Sequence, residues 1–319
     1  MQPDMQQRVV LAIDIGGTKL AVGVVDETGR VLESRRAPNP NPRGGDGESV
    51  MQSLFALVDD LDTARTAYAG VGVGCGGPMR WPEGEVSPLN IPSWRGFPLR
   101  ARLAEEFGLP VRLHNDAVCL AVAEHWRGAG AGVDNVLGMV VSTGVGGGLI
   151  LGGRLIDGAS GNAGHIGHAI VHELEPECQC GAVGCLEAIA SGPNLSGWAH
   201  EQGWRRGHSP EQRTGVDLVE DARRGDKTAL AAMNRAGRAL GIGIATATTL
   251  CDLEVVAIGG GLSQAGPLLF GPLEASLRER TGLEFARGVR VVPAGLGQEA
   301  GLVGAAALVL HEDRYWSAD

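Results

Sequence analysis

Three thiols and one imidazole form the densest group of metal ligands in the sequence. Cys178, Cys180 and Cys185 lie within eight residues, and His168 precedes the first of them by ten residues. Three thiolates and one imidazole complete the tetrahedral ligand set of a structural zinc ion and leave no open position for a reacting water. The spacing therefore predicts a structural zinc site, and the alternative is unbound cysteines at loop turns. The remaining cysteines lie in apolar stretches and are predicted core residues: Cys75, Cys119 and Cys251.

Three glycine clusters each follow an apolar stretch with the length of a buried strand. They are Gly16–Gly17, Gly144–Gly148 and Gly259–Gly261, and the hydroxyls of Thr18 and Thr143 accompany the first two. Backbone amides at such turns bind anions, and glycine lets a phosphate approach the main chain closely. None of the three matches the P-loop pattern, and the first strand leads into a hairpin rather than the helix of a dinucleotide fold. One such cluster is more often a simple turn, but three in two similar halves favour a bound nucleotide.

Two aspartates stand at predicted strand ends, where a carboxylate could do chemistry. Asp116 follows the predicted strand Val111–His114 and lies beside Asn115, and Asp14 lies near the end of the first strand. Phosphoryl transfer to an alcohol needs a cradle for ATP, Mg2+ to neutralise charge and a carboxylate that takes the hydroxyl proton. Without other information, an aspartate at the position of Asp116 is more often a helix N-cap, and Asp14 could simply satisfy turn amides.

The elements that must position these groups repeat along the chain. A strand, a glycine turn, a second strand, another turn and a third strand recur about 130 residues apart, which predicts two related α/β halves. The predicted strands are Val9–Ile15, Leu20–Val25, Arg30–Ser34, Gly70–Cys75, Val111–His114, Val136–Val141, Leu149–Leu151, Arg154–Ile156 and Glu254–Ile258. The first predicted helix follows Ser49, its expected N-cap. The other predicted helices are Leu99–Phe107, Ala117–Trp126, Ala229–Leu250 and Leu302–Leu310.

Composition narrows the classes of function. The chain has 319 residues, which suggests about two domains. With 27 basic and 37 acidic residues the net charge is −10, and no Lys/Arg run provides the clustered cations that nucleic acid requires. No apolar run reaches the roughly 18 residues that span a bilayer. We therefore expect a soluble, cytoplasmic protein that binds neither nucleic acid nor membranes.

The motifs together resemble those of the ROK family, which contains bacterial sugar kinases and sugar-responsive repressors. The resemblance rests on Asp14-Ile-Gly-Gly-Thr-Lys19, on Ser142-Thr-Gly-Val-Gly-Gly-Gly148, on Gly167-His168 and on the cysteine block Cys178–Glu187. It implies an α/β, two-lobed actin/hexokinase-like (ribonuclease H-like) fold with an interlobe cleft. The expected smaller lobe comprises residues 1–115 and 299–319, and the expected larger lobe comprises residues 116–298 with the zinc-binding loop.

The resemblance also implies roles for single residues. Asp116 is the expected general base, and Asn115 is expected to hold sugar hydroxyls. Further expected sugar contacts come from the two histidines and the carboxylate near the zinc loop and from a loop asparagine: Asn90, His165, His168 and Glu187. Residues expected to bind Mg2+ and ATP are Asp14, Gly16, Gly17, Thr18, Lys19, Thr143, Gly144, Gly260 and Gly261. The expected cofactors are Mg2+ with ATP and a structural zinc that fixes the loop carrying the sugar contacts.

One departure from the family pattern bears on the sugar. Many family glucokinases have Glu-x-Gly-His where this chain has His165-Ile-Gly-His168. A carboxylate only accepts hydrogen bonds, whereas a neutral imidazole can donate one to an acetamido carbonyl. Ala163–His168 and Glu187–Gly192 look like the corresponding segments of bacterial N-acetylmannosamine kinases. We therefore place N-acetylmannosamine, or a related 2-acetamido sugar, ahead of glucose, with fructose and mannose behind them.

Two other classes remain as alternatives to a kinase that phosphorylates a 6-hydroxyl. Repressors of the family carry a winged helix-turn-helix before the first Gly-Gly turn, and only 15 residues precede Gly16 in this sequence. A sugar-binding protein without catalysis is disfavoured because Asp14, Asn115 and Asp116 are all present. The resemblance further implies a homodimer or homotetramer, and leaves open whether polyphosphate can replace ATP.

Overall fold

The computed structural model describes residues 8–40, 47–62, 67–89, 91–174, 176–205 and 214–317. The chain divides into two compact units. The first unit comprises Met1–Gly132, Gly148–Ala163 and Leu296–Asp319, and the second comprises Val133–Gly147 and Gly164–Gly295. Within the described ranges, no helix is long and apolar enough to cross a membrane.

Twelve strands are found in the described residues. They are β1 (Val9–Ile15), β2 (Lys19–Asp26), β3 (Val31–Pro38), β4 (Val71–Cys75), β5 (Met79–Arg80), β6 (Glu85–Val86), β7 (Val111–Asn115), β8 (Val136–Val141), β9 (Val145–Leu151), β10 (Arg154–Leu155), β11 (Val255–Gly259) and β12 (Arg290–Pro293).

Ten α-helices are found in the same ranges. They are α1 (Gly47–Asp59), α2 (Leu99–Phe107), α3 (Asp116–Arg127), α4 (Leu186–Ala190), α5 (Gly192–Glu201), α6 (Gly215–Arg223), α7 (Lys227–Cys251), α8 (Pro267–Arg280), α9 (Ala300–Leu310) and α10 (Glu312–Tyr315). The predicted helix Leu99–Phe107 has the observed bounds of α2, and the predicted strand Val136–Val141 has those of β8.

The first unit contains a five-stranded sheet in the order β3-β2-β1-β4-β7. The first three strands form the predicted antiparallel meander, and β4 and β7 run parallel to β1. The apolar, β-branched run of β1 is almost wholly buried, as expected for a strand covered on both faces. Because β1, β4 and β7 are parallel, their carboxyl ends meet at one edge of the sheet.

Helices α3 and α9 pack on this sheet with little space between the backbones. A Cβ on Gly72 of β4 would overlap the carbonyl group of Ala305 in α9, and a Cβ on Gly304 would overlap the carbonyl group of Cys119 in α3. This packing places α3 in the compact first unit, although residues 116–298 were expected in the larger lobe. Residues 148–163 also belong to the first unit.

The second unit has a parallel arrangement of β8, β11 and β12. They belong to a sheet with the strand order β10-β9-β8-β11-β12, and the boundary between the units falls within β9. The longest helix, α7, packs on α8 through Gly237 and Gly241, where an added Cβ would lie 2.7 Å from the carbonyl oxygens of Leu269 and Leu273. The glycines in this helix therefore permit close packing.

Three local predictions are wrong. Ser49 is not the cap of α1, because the helix begins at Gly47 and Ser49 lies in its first turn. The predicted turn Ser142–Gly148 is shorter, because β9 begins at Val145. A Cβ on Gly147 would lie 2.9 Å from the carbonyl oxygen of Gly138, so glycine serves close packing there rather than a turn. Cys251, predicted in the core, is partly exposed at the end of α7.

Candidate active site

The carboxyl edge of the first sheet brings together the predicted catalytic residues of the first unit. Asp14 of β1 is in register with Gly74 of β4, and Gly74 is in register with His114 of β7. Asn115 ends β7, and Asp116 begins α3. The carboxyl edge of a parallel sheet is where ligands bind in open α/β proteins. Gly74 adds no side chain here, and a Cβ on it would lie 3.6 Å from Cα of Asp116.

Asn115, rather than Asp116, is the N-cap of α3. Its side-chain oxygen accepts a hydrogen bond from the backbone N–H of Ala117 at 2.9 Å. Asp116 is the first helical residue, and its carboxylate accepts from the same N–H at 2.8 Å. Burial raises the pKa of Asp116 above its usual value, although this backbone hydrogen bond lowers it. The alternative in which Asp116 is merely the cap is therefore wrong, and Asp116 is a carboxylate with raised proton affinity.

The pKa of Asp14 is also raised. Burial, and next the negative charge of Asp116, raise its pKa to about 7, while Lys19 and Arg36 act in the opposite direction. The carboxylate lies against the first turn of α9, where a Cβ on Gly301 would overlap it. Two neighbouring carboxylates disfavour each other's charge, and a divalent cation relieves this repulsion. Oxygen ligands of this kind suit Mg2+.

Two buried thiols lie beside these carboxylates. Burial raises the pKa of Cys75 and Cys119 well above the usual value, and the charges of Asp14 and Asp116 contribute in the same direction. A thiol is a nucleophile only as its thiolate. Cys75 and Cys119 are therefore buried packing residues, as predicted.

The turn after β1 is held by hydrogen bonds within the turn and with residues distant in sequence. The N–H of Gly16 donates to the carbonyl oxygen of Lys19 at 2.9 Å. Asn39, which follows β3, donates its side-chain amide to the carbonyl oxygen of Gly16 and its backbone N–H to that of Thr18, both at 2.9 Å. The ammonium group of Lys19 donates to Gln298 at 2.9 Å. The predicted phosphate-binding turn Gly16–Lys19 is thus preorganised within the first unit.

The remaining predicted nucleotide residues come together in the second unit. Thr143 and Gly144 follow β8, whereas Gly260 and Gly261 follow β11, its parallel neighbour. Gly260 has a φ of +90°, and a Cβ there would overlap the backbone of Val141. Both turns therefore lie at the same sheet edge and expose backbone to a ligand, and only glycine allows the second turn to approach β8 so closely.

Glu187 supports the first of these two turns. Its carboxylate accepts a hydrogen bond from the N–H of Val145 at 2.8 Å, and a Cβ on Gly144 would lie 2.7 Å from the same oxygen. Glu187 lies in the first turn of α4. A residue predicted from the resemblance to bind sugar thus also holds the turn that was predicted to bind nucleotide.

The four predicted zinc ligands form one cluster. The ligand atoms of His168, Cys178, Cys180 and Cys185 all lie within 4.8 Å of one another. Sγ of Cys180 is 3.6 Å from Sγ of Cys185, and Sγ of Cys178 is 3.8 Å from Nδ1 of His168. Ligands about 2.0–2.3 Å from a tetrahedral zinc ion are about 3.5–3.8 Å apart, so the donor set fits zinc.

The predicted sugar residues are only partly covered by the described ranges. Because Nδ1 of His168 faces the thiols, its Nε2 is the nitrogen available for other contacts. The ring of His165 stacks near that of His168, with centroids 6.3 Å apart and planes 20° apart. Asn90 lies outside the described residues.

Several residues at the carboxylate site escaped the sequence analysis. Asn39 holds the first glycine turn, Gly301 lets Asp14 approach the start of α9, and His114 forms a buried hydrogen bond with Asp157. The Gly301 position had one sequence signal, a glycine just before a long apolar helix. The other contacts join residues more than twenty positions apart and leave no local pattern.

Comparison with known proteins agrees with this arrangement. A model of the ROK family matches residues 10–312. Over 316 residues the chain is 33% identical to a glucokinase of Thermotoga maritima, covering 96% of this chain and 98% of the relative. It is 33% identical over 313 residues to an N-acetyl-D-glucosamine kinase of Salmonella paratyphi A, covering 94% and 98%. A crystal structure of a ROK family glucokinase from Streptomyces griseus, in complex with glucose and AMPPNP, matches with a TM-score of 0.81 and 34% identity, covering 94% of this chain and 98% of that chain.

Proposed function

The chain belongs to the ROK family, and we propose that it phosphorylates the 6-hydroxyl of a 2-acetamido hexose, with N-acetylmannosamine as the first candidate. It is an ATP-dependent sugar kinase with the α/β, actin/hexokinase-like fold of its structural neighbours. The observation that carries the mechanism is the pair of neighbouring carboxylates Asp14 and Asp116, both with raised pKa, at the carboxyl edge of the first sheet.

Asp116 is the general base in this proposal. As the 6-oxygen forms its bond to the γ-phosphorus, the bond from that phosphorus to the β,γ-bridging oxygen breaks, and ADP leaves with the electron pair. The hydroxyl proton passes to the carboxylate of Asp116. A raised pKa brings the proton affinity of a carboxylate nearer to neutral pH, where a general base is most effective. The hydrogen bond from the N–H of Ala117 fixes one carboxylate oxygen and so orients the other.

Asp14 and the glycine turns hold the nucleotide in this proposal. When bound, Mg2+ neutralises charge on the transferred phosphoryl group. Asp14 and its neighbour Lys19 offer an oxygen ligand and a compensating positive charge for Mg2+ and phosphate. The amides of Gly17 and Thr18, and those after β8 and β11, suit phosphate oxygens because glycine leaves the turns accessible.

The zinc cluster has a structural role in this proposal. Cys185 directly precedes α4, the helix that carries Glu187, and His168 contributes Nδ1 to the same cluster. A bound zinc ion would therefore fix Nε2 of His168 and the start of α4 with respect to each other. All four protein ligands are already supplied, so no position remains for an activated water.

His165 is the residue on which the choice of sugar depends. An imidazole N–H can donate to an acetamido carbonyl, which a carboxylate at this position cannot do. A relative named as an N-acetyl-D-glucosamine kinase supports the 2-acetamido class. Glucose is the second candidate, because an equally similar relative and the matching crystal structure are named as glucokinases.

Coupled release of ADP from Mg–ATP across a panel of sugars tests the proposal. The panel comprises N-acetylmannosamine, N-acetylglucosamine, glucose, mannose and fructose. We expect N-acetylmannosamine to exceed glucose by at least about tenfold in kcat/KM, which is about 1.4 kcal/mol of transition-state preference. His165→Glu is expected to reverse this preference, whereas the same change at His200, on α5, leaves it unchanged.

Two outcomes contradict the proposal in different ways. Faster turnover of glucose, unaffected by His165→Glu, would make the protein a glucokinase in which His165 is a tolerated replacement. Absence of turnover with every sugar would favour a sugar-sensing or sugar-binding protein, and binding of the same sugars by calorimetry would then identify its ligand.

A further inference from the structure

A buried chain of hydrogen bonds ends at the backbone N–H of Asn115, the residue before Asp116. His114, fully buried in β7, accepts a hydrogen bond at Nδ1 from the backbone N–H of Asn115 at 2.9 Å. Its Nε2 lies 2.9 Å from Oδ1 of Asp157, which is 6% exposed. The hydroxyl of Ser317 donates to the other oxygen of Asp157. All four residues belong to the first unit.

The hydrogen-bond pattern assigns the proton of His114. A nitrogen that accepts from an N–H carries no proton, so Nδ1 is the unprotonated nitrogen and Nε2–H donates to Asp157. The carboxylate of Asp157 accepts from Nε2–H and so fixes the tautomer and the orientation of the ring, as carboxylates do for histidines that bind metals. His114 thereby links Asp157 to the peptide group between itself and Asn115.

We propose that His114, Asp157 and Ser317 are positioning residues for Asn115 and Asp116. This inference rests on the proposed function, in which Asp116 is the general base. The N–H of Asn115 belongs to the last residue of β7 and the cap of α3, so its direction determines how the strand turns into the helix. Asp116 is the next residue, and a displacement of an ångström at a reacting group is enough to lower turnover greatly.

These hydrogen bonds connect the C-terminal segment with Asn115 and Asp116, although 160 positions separate Asp157 from Ser317. Other contacts hold that segment on the first unit. Arg112 donates to Glu312 at 2.9 Å, and Arg154 donates to the carbonyl oxygen of Asp313 at 2.9 Å. Ser317 is therefore held where its hydroxyl reaches Asp157.

A second buried histidine provides a matched control. His125, at the other end of α3, forms a 2.6 Å hydrogen bond with the hydroxyl of Tyr315. It resembles His114 in burial and in its link to the C-terminal segment, but it is ten positions away from Asn115. Variants of this pair should lower stability as variants of His114 do, without a direct effect on the position of Asp116.

Steady-state kinetics of two sets of variants test the proposal. We expect His114→Leu and Asp157→Asn to lower kcat by at least about tenfold at saturating sugar and Mg–ATP, with KM for Mg–ATP within about twofold of wild type. Ser317→Ala is expected to have the same direction and a smaller effect. Tyr315→Phe and His125→Leu serve as controls matched in melting temperature. Equal losses of kcat in both sets would overturn the proposal.

Two further variants at position 114 separate the two ring nitrogens. The side-chain oxygen of Asn can replace the acceptor Nδ1, whereas the amide nitrogen of Gln can replace the donor Nε2. Because the proposal assigns positioning to acceptance at Nδ1, His114→Asn should retain more kcat than His114→Gln. The reverse order would overturn the proposal.

A spectroscopic measurement separates this inference from the proposed function. The 15N resonances of the His114 imidazole report which nitrogen carries the proton, independently of turnover. We expect the Nε2–H tautomer in wild type, and its signal should change in Asp157→Asn. A proton on Nδ1 would contradict the proposal, because Nδ1 could then not accept the hydrogen bond from Asn115. If wild type shows the expected tautomer but phosphorylates no sugar, the kinase proposal fails and the hydrogen-bonded chain stands.

Discussion

The carboxylate edge of the first unit and the Cys3His cluster of the second are held in place by different means. Asp14, Asn115 and Asp116 lie on or directly after neighbouring parallel strands, and strand register fixes them. The cluster lies in an irregular segment whose main-chain pairing includes single bridges, such as Ile170 with Cys185 and Glu177 with Val183. A continuous sheet fixes positions through a regular ladder of backbone hydrogen bonds, whereas this segment has scattered ones, such as those from Val171 to Gly184 and from Cys178 to Ala182.

The difference suggests a division of labour between backbone and metal. The first site needs accurate carboxylate positions, and close packing at Gly72, Gly301 and Gly304 contributes to them. The second segment compensates for its scarcity of regular structure with four ligands for one ion. A zinc ion bound to four protein ligands restrains several points of a loop at once, and in small peptides it supplies the folding energy.

The largest effect is expected from Asp116→Asn. The amide cannot accept the hydroxyl proton, so kcat should fall by at least about a hundredfold, as expected when a general base is removed. The strand register and the cap at Asn115 do not depend on this carboxylate, so the melting temperature should change little. Sugar-dependent release of ADP measures kcat, and thermal denaturation checks the fold.

Glu124→Gln is the matched control for Asp116→Asn. Glu124 is a buried carboxylate on the same helix and accepts hydrogen bonds from the backbone N–H groups of Ala129 and Leu296. The substitution should affect stability much more than kcat. Near-normal turnover of Asp116→Asn would refute its assignment as the general base.

Removal of zinc is expected to disturb the second unit and spare the first. Chelation, or Cys180→Ser, should lower the melting temperature by at least about 5 °C, since each kcal/mol shifts it by about 2–4 °C in a domain of this size. Hydrogen exchange should accelerate in residues 168–187 and stay unchanged in β1 and α3. Metal analysis of the purified protein checks for bound zinc.

Cys251→Ser is the control for Cys180→Ser, because Cys251 lies outside the cluster at the end of α7. Its metal content and its exchange in residues 168–187 should equal those of wild type. A protein that binds no zinc, and whose melting temperature is the same with and without chelator, would show that the loop is held by its own contacts.

The smallest predicted effect is a pH dependence at the carboxylate edge. Burial and the charge of Asp116 raise the pKa of Asp14 to about 7, so the folded protein binds this proton more tightly than the unfolded chain. The associated stability is present below the unfolded pKa and is lost as the pH rises through about 7. Binding of Mg–ATP needs the ionised form, so its affinity should fall about tenfold per pH unit below about pH 7.

Calorimetric titration of Mg–ATP from about pH 5.5 to about pH 8 measures this dependence. Asp14→Asn should weaken binding and remove the pH dependence. Asp26→Asn is the control, because Asp26 lies in the same sheet and its carboxylate accepts hydrogen bonds from Thr28 and Arg30. If the affinity of wild type stays constant across this pH range, Asp14 does not take part in nucleotide binding.

Much of the fold was predictable because its signals are local. Apolar β-branched runs marked β1 and β8, and the helical period marked α2 and most of α3. The start of β9 was not predictable in the same way. The run of glycines predicted a turn. Only the tertiary structure shows that Gly138 lies too close to Gly147, and Val118 too close to Gly148, for a side chain to fit.

The candidate site likewise has features with a local sequence signal and features without one. The spacing of His168, Cys178, Cys180 and Cys185 was enough to predict one metal cluster, because ligands close in sequence can converge with little help from the rest of the chain. The sequence also indicated Asp14 and Asp116, from strand ends and from the family resemblance. Nothing local indicated that burial would raise the pKa of both aspartates, or that the charge of Asp116 would raise the pKa of Asp14 further.

The sequence by itself determined most of the strands, the ligand set for zinc and the family motifs, since each is a pattern within a few residues. The tertiary structure decided which distant residues share an edge. It put Gly301 against Asp14, and it linked Ser317 through Asp157 to His114. Such contacts depend on strand order and on helix packing, and the energy of a buried charge depends on all the groups around it. Neither is encoded in the spacing of any short segment.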